Sequence, residues 1–182
     1  GGPVVQSLVA HDLRGVGAAG AAPRGTGDAR GTRVKTFYLI DGHAQVFRAY
    51  YAPFRDLNAP NGEPVKAVYV FTQLLLNVLR NVKPDYLAIA FDVSDTTTLR
   101  KGDFADYKAN RDHAPDDLHG QFVRIRQVIE AMGIKTYELE GHEADDVIAT
   151  IAERLKGEDV ELRIASKDKD LHQILSDKVK LW

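Results

Sequence analysis

From Val34 onward the sequence predicts an α/β domain built on a mainly parallel sheet, for three reasons. Short β-branched or aromatic runs alternate with longer runs of helical apolar period, the pattern of strands joined by crossover helices. At 182 residues and 44% hydrophobic, the chain can bury the core of one ordinary domain. Composition also shifts near residue 33: eight of the 15 glycines (1, 2, 15, 17, 20, 25, 27 and 31) precede it, mixed with Ala and Arg and without a sustained apolar period. Residues 1–33 are therefore expected to form a disordered Gly/Ala/Arg-rich leader lacking the apolar stretch of a secretory signal. Residues 34–182 are expected to form the domain.

Strands are expected at 34–40 (VKTFYLI), 86–91 (YLAIAF), 135–139 (KTYEL), 160–165 (VELRIA) and 179–182 (VKLW). After the first strand, DGHAQVFRAYYA reads as a helix carrying His43 and Arg48. His43 beside a helix start reads as a cap or packing residue, because no second His is spaced to share a metal. Arg48 can reach a phosphate or pair with an acid. Pro64 suits the first turn of the next helix, where Val65, Val68, Phe71, Leu75 and Leu79 keep helical spacing. A further helix is expected after Pro115, with Phe122, Ile125, Val128, Ile129 and Met132 on one face and a stop at Gly133. Another starts near His142 and carries Val147, Ile148, Ile151 and Leu155. Residues 99–111 fit neither period and are expected to form an excursion above the sheet.

Composition excludes several classes. A formal charge of −2 rules out a uniformly basic nucleic-acid coat but not a local basic stripe. The chain has no cysteine, hence no disulfides, thiolate zinc sites or cysteine nucleophiles. No run approaches the roughly 20 apolar residues of a membrane span. A soluble, cytoplasmic protein without membrane contacts is expected.

Acidic residues recur where strands end. Asp41 follows the first strand and Asp92 the second; Glu143, Asp145 and Asp146 follow the third after a short loop; Asp168 and Asp170 follow the fourth. In a parallel sheet those ends point one way, and ligand crevices form outside them. Seven carboxylates thus converge on one rim, where they repel one another unless protons or cations compensate. Oxygen-rich sites without His or Cys favour Mg²⁺ or Mn²⁺. Two such ions roughly 3.5–4 Å apart can activate a water and hold the leaving oxygen in phosphodiester cleavage. Each acid alone has an ordinary role open to it, as an N-cap, a turn residue, a first-turn charge favoured by the helix dipole or part of a solvated charge run. Acids at four successive strand ends exceed what turn chemistry requires.

A second constellation is LRKGDFADYKANR, 99–111, where Arg100, Lys101, Lys108 and Arg111 interleave with Phe104 and Tyr107. That mix suits gripping phosphates and stacking bases; with Asp103 and Asp106 present, a charged surface loop is the ordinary reading. Following Asp92, the segment overhangs the acidic rim, where Lys108 or Arg100 could stabilise charge on a reacting phosphate.

Six ordered blocks, YLIDGHAQVFRAYYA, NGEPVKAVYVF, YLAIAFD, DYKANRDHAPDDL, GHEADDVIATIA and SKDKDLHQIL, carry a resemblance across 34–182. Together they resemble the amino-terminal, resolvase-like half of the 5′-3′ exonuclease domain of bacterial DNA polymerase I, related to the flap endonucleases. The resemblance implies a PIN-like three-layer fold with a basic arch, catalysis by two Mg²⁺ or Mn²⁺ ions, and attack by a monomer on DNA with a 5′ end, flap or nick. It implies Asp41, Asp92, Glu143 and Asp145 as acids of the first metal site and Asp145, Asp168 and Asp170 as those of the second, with Asp146 acting through water. Lys108 and Arg111 fall on the basic motif of the arch that passes the 5′ strand, and Arg100 on the Arg before it, here preceded by Leu99 where Phe is usual. It thus implies Lys108 and Arg100 as catalytic, and Arg100, Lys101, Tyr107, Lys108 and Arg111 as DNA-binding.

The family continues into an acidic GD..DN motif and a helix-hairpin-helix, neither of which lies in these 182 residues. The chain is therefore expected to be a truncated domain of weak or no activity. Three other classes share part of the pattern. A PIN-domain ribonuclease shares the acidic rim but usually lacks an arch of this length. A response-regulator receiver needs a phosphoacceptor Asp and a late-strand Lys. A non-catalytic DNA-binding module would bind flaps without cutting them.

Overall fold

The computed structural model describes residues 33–93, 115–140 and 142–182. Five strands form one all-parallel sheet: β1 (Lys35–Asp41), β2 (Tyr86–Ala90), β3 (Lys135–Tyr137), β4 (Val160–Ala165) and β5 (Val179–Leu181), in spatial order β3-β2-β1-β4-β5. The helices are α1 (Gly42–Tyr50), α2 (Lys66–Asn77), α3 (Asp116–Ala131) and α4 (Ala144–Leu155), and a short 3₁₀ turn, Asp170–Ile174, precedes β5.

Successive strand residues point to opposite faces, and helices cover both, so the sheet is buried on both sides. Tyr38, Ile40, Leu87 and Ile89 point to one face, where they meet Val46 of α1, Phe71 and Leu75 of α2, and Phe122, Ile125 and Ile129 of α3. Phe37, Leu39, Ala88, Ala90, Leu162 and Ile164 point to the other, against Val147, Ile148, Ile151 and Leu155 of α4 and Leu171 of the 3₁₀ turn. The result is three layers, helix, sheet and helix. Connections from β1 through β2 to β3 run over the first face and those from β3 through β4 to β5 over the second. The winding therefore reverses between β1 and β4, the place where open α/β sheets form a ligand crevice.

Local chemistry sets the helix ends. Asp41 caps α1 by accepting from Ala44 N at 3.0 Å. The predicted stop of α3 is a Schellman turn: Gly133, at φ +65°, donates to Glu130 O at 2.9 Å, and Ile134 donates to Ile129 O at 3.1 Å. Pro64 lies two residues ahead of α2 rather than in its first turn, and the orphan N–H of Ala67 is satisfied by buried Gln121 of α3 at 2.7 Å. Past Asn77, α2 continues as one π-helical turn, Val78–Val82, closed by Lys83 at φ +51°. The apolar spacing through Leu79 foretells helix there but not its widened turn. Helix α4 begins at Ala144, two residues after the predicted start, because Asp146 Oδ2 accepts from Glu143 N at 3.2 Å and fixes Glu143 as the cap.

Candidate functional site

An open cleft of about 550 Å³ lies outside the carboxyl ends of β1 and β2, lined by Asp41, His43, Ala44, Phe47, Tyr51, Asp92, Glu143, Ala144, Asp145 and Asp168. Five of the seven predicted acids thus face one space. Asp41 arrives as the last residue of β1, and Asp92 two residues after β2. Glu143 and Asp145 come from the start of α4, and Asp168 from the loop after β4.

Close approach of the backbones draws these ends together. A Cβ on Gly42 would meet the Phe91 ring at 2.4 Å, so only glycine lets the first turn of α1 sit against the residue preceding Asp92. Asp92 Oδ1 in turn accepts from Ala144 N at 2.5 Å, pinning the start of α4 to the end of β2. Asp41 and Asp92 are both buried, at 5% and 7% exposure, unusual for carboxylates. Asp41 is also held from below by the Ser166 hydroxyl, which donates to Oδ2 at 2.7 Å.

Charge crowding shows in protonation. Burial and the nearby carboxylates of Asp168, Asp41 and Asp92 push Asp145 up to about 7 from an ordinary value of 3.8. A hydrogen bond with Asp168 contributes to the same shift. Burial also raises Asp41, against the opposing effects of the Ala44 N–H, the Ser166 hydroxyl and His43. Among the described residues, no group of three or more His, Cys, Asp or Glu is already arranged to cage an ion. Mg²⁺ usually keeps several waters and takes one or two carboxylates directly, so acids spread around the cleft can hold such an ion through its waters as well as by direct contact.

Asp146 and Asp170 do not line the cleft. One oxygen of Asp146 is committed to the Glu143 N–H, and exposed Asp170 opens the 3₁₀ turn with its N–H on Asp168 Oδ1 at 2.8 Å. Arg48 is exposed on α1. Arg100, Lys101, Tyr107, Lys108 and Arg111 lie outside the described residues, as does the whole of the predicted 99–111 segment. His43, expected only to cap or pack, lines the cleft with Phe47 and Tyr51, which carry no expectation from sequence; the three follow one face of α1 and its C-cap at a spacing of four, with ring centroids 4.8 and 6.4 Å apart along the row. That spacing was the signal available. Buried Gln45 and Ser166 offered none, since a lone Gln or Ser in a sequence says nothing of its partners.

Residues 36–182 match the family model described as 5′-3′ exonuclease, N-terminal resolvase-like domain. The chain is 42% identical over 144 residues to DNA polymerase I of Chloroflexus aurantiacus, covering 79% of this chain and 15% of that protein. It is 38% identical over 146 residues to a 5′-3′ exonuclease of Aquifex aeolicus, covering 80% of this chain and half of that one. It therefore spans half or less of the length of these relatives. In fold it resembles a bacteriophage T5 flap endonuclease solved as a pseudo-enzyme-product complex with DNA and metal ions: TM-score 0.53, 20% identity, 81% of this chain and 54% of that one. That likeness agrees with the PIN-like, resolvase-like architecture expected from the sequence. By its sequence, the chain belongs to the family of 5′-3′ exonuclease N-terminal, resolvase-like domains.

Proposed function

We propose that this chain carries the acidic centre of a 5′-3′ exonuclease and structure-specific 5′ flap endonuclease that hydrolyses DNA phosphodiester bonds with two Mg²⁺ or Mn²⁺ ions. The observation that supports it most is the crowding of Asp41, Asp92, Glu143, Asp145 and Asp168 in one cleft, tight enough to hold Asp145 near neutrality. An all-oxygen acid set fits hard divalent cations. Asp41, Asp92, Glu143 and Asp145 would hold one ion and Asp145, Asp168 and Asp170 the other, with Asp146 reaching through water. When bound, such ions supply an activated water and neutralise charge on the leaving oxygen. The chain's own residues set the geometry: Gly42 and Ala144 fix the acids of β1 and β2, and the Asp145 carboxyl, raised to about 7, can give up its proton as a cation approaches.

The family and the 5′-3′ exonuclease and DNA polymerase I among its relatives support DNA with a 5′ end as substrate, and a flap or nick at that end is part of the same proposal. Arg100 and Lys108 are assigned to the reacting phosphate, and Lys101, Tyr107 and Arg111 to grip on the strand. The same reading takes the protein as a cytoplasmic monomer, with residues 1–33 a leader apart from the 34–182 domain. Among the described residues no helix is long and apolar enough to cross a membrane.

The test is cleavage of a 5′-labelled flap duplex. Cutting that requires Mg²⁺ or Mn²⁺, disappears in Asp92→Asn and spares plain single-stranded RNA would support the proposal, even if slow. Preferential cutting of the RNA would point to a PIN-domain ribonuclease. Metal-dependent flap binding without any cutting would point to a DNA-binding module.

A further inference from the structure

Ser166 is the first residue after β4 and is only 5% exposed. Its register explains its position: Ile40 pairs with Ala165, so Asp41 and Ser166 leave the sheet side by side. The Ser166 hydroxyl donates to Asp41 Oδ2 at 2.7 Å and accepts from Asp168 N at 3.1 Å. Asp41 Oδ1 is taken by the Ala44 N–H, and Asp168 Oδ1 by the Asp170 N–H. One hydroxyl therefore joins the carboxylate of β1 to the backbone that orients the acids after β4, across the reversal in strand winding. It does not itself line the cleft.

We propose that Ser166 is a positioning residue whose hydroxyl locks Asp41 and Asp168 in a fixed relation, so that divalent-cation binding depends on it although it touches no cation. The proposal rests on the metal reading of the cleft. A carboxylate with a donor on each oxygen keeps its plane and aims its remaining lone pairs in fixed directions. Without the hydroxyl, Asp41 keeps only the Ala44 N–H and can turn, and the Asp168 N–H loses its acceptor, so both acids drift from their common geometry. Merely structural ties also exist at this corner. Gln45 Nε2 donates to Ala165 O at 3.2 Å, is equally buried, and joins α1 to β4 without touching any carboxylate.

That neighbour supplies the control. Calorimetric titration with Mn²⁺ on the 182-residue chain, paired with a thermal melt of each variant, separates positioning from stability. Ser166→Ala is expected to weaken Mn²⁺ binding roughly 10–100-fold, as removal of partners behind metal ligands does. Ser166→Thr, which keeps the hydroxyl, should restore affinity close to that of the unsubstituted chain. Gln45→Ala should lower the melting temperature and leave Mn²⁺ affinity close to unchanged. If Ser166→Ala does not fold, Ser166→Cys, similar in size with a weak donor, carries the comparison: weakened binding supports the proposal and unchanged binding overturns it. Unchanged affinity in Ser166→Ala, or equal weakening in Gln45→Ala, would overturn the role of Ser166 alone. No saturable Mn²⁺ binding by the unsubstituted chain would overturn the metal reading, and this proposal with it.

Discussion

Replacing Asp145 by Asn is expected to remove much of the pH dependence of the metal-free fold. In the folded chain the Asp145 carboxyl sits at about 7, above its ordinary value of 3.8, so the native state binds the proton more tightly than the unfolded one. The stability this contributes is fully present below about pH 4 and is lost as pH rises through about 7. The separation of the two values corresponds to roughly 4 kcal/mol if unscreened. Asp145 is partly exposed, and solvent screening reduces that to about 1–2 kcal/mol. For a chain of this size the loss amounts to roughly 2–8 °C in melting temperature. Asn cannot ionise, so the variant should avoid this loss. It forgoes the attraction of a first-turn carboxylate to the helix dipole, about 0.3–1 kcal/mol, which offsets part of the gain at high pH. The assay is a series of thermal melts in chelator from about pH 5 to 8. Wild type should lose stability across that range and Asp145→Asn clearly less. Parallel curves for the two proteins would refute the claim that like-charge crowding raises Asp145.

Other consequences are open to measurement. Mg²⁺ at 100 times its dissociation constant should add about 2.7 kcal/mol, or roughly 5–11 °C in melting temperature, with less in Asp92→Asn; an equal rise in the variant would count against that acid. Gly42→Ala forces its new methyl into the fully buried Phe91 ring, and should lower the urea midpoint by an equivalent of about 1–3 kcal/mol. An unchanged midpoint would show that the ring yields freely. In a longer, flap-cleaving form of the chain, Lys108→Ala should slow single-turnover cleavage far more than it weakens DNA binding, whereas Arg111→Ala should chiefly weaken binding and flatten its salt dependence. Small and equal effects would make 99–111 an ordinary charged loop.

The fold was legible where side-chain period was strong. Leu39 and Ile40 on opposite faces of β1, and Val147, Ile148 and Ile151 along α4, declare strand and helix because both faces of the sheet are buried, and all five predicted strands form. The expected third strand, 135–139, is shorter at Lys135–Tyr137, since only these residues pair with β2. Strand order was not legible, because pairing of β1 with β4 depends on which face each connecting helix covers. Five of the seven acids, Asp41, Asp92, Glu143, Asp145 and Asp168, were legible as neighbours, because each follows a strand and parallel strands end on one side; Asp146 and Asp170 follow strands too but do not line the cleft. What sequence could not supply was depth. Asp41 and Asp92 are buried while Glu143 and Asp168 are exposed, and that difference comes from Gly42 packing on Phe91 and Ala144 on Asp92. Nor could it show Ser166 beneath Asp41, a contact spanning 125 positions of sequence.

The central claim is that these carboxylates converge to hold a divalent cation, and the most direct measurement is Mn²⁺ titration at about pH 6.5 in two buffers of different ionisation heat. There Asp145 is largely protonated in the free chain, its carboxyl titrating at about 7, and must lose its proton to become a ligand. Saturable Mn²⁺ binding is expected, with an apparent heat that differs between the buffers because a proton is released, and with both the release and much of the affinity lost in Asp145→Asn. Binding that never saturates at millimolar Mn²⁺, or saturable binding with no proton release, would contradict it.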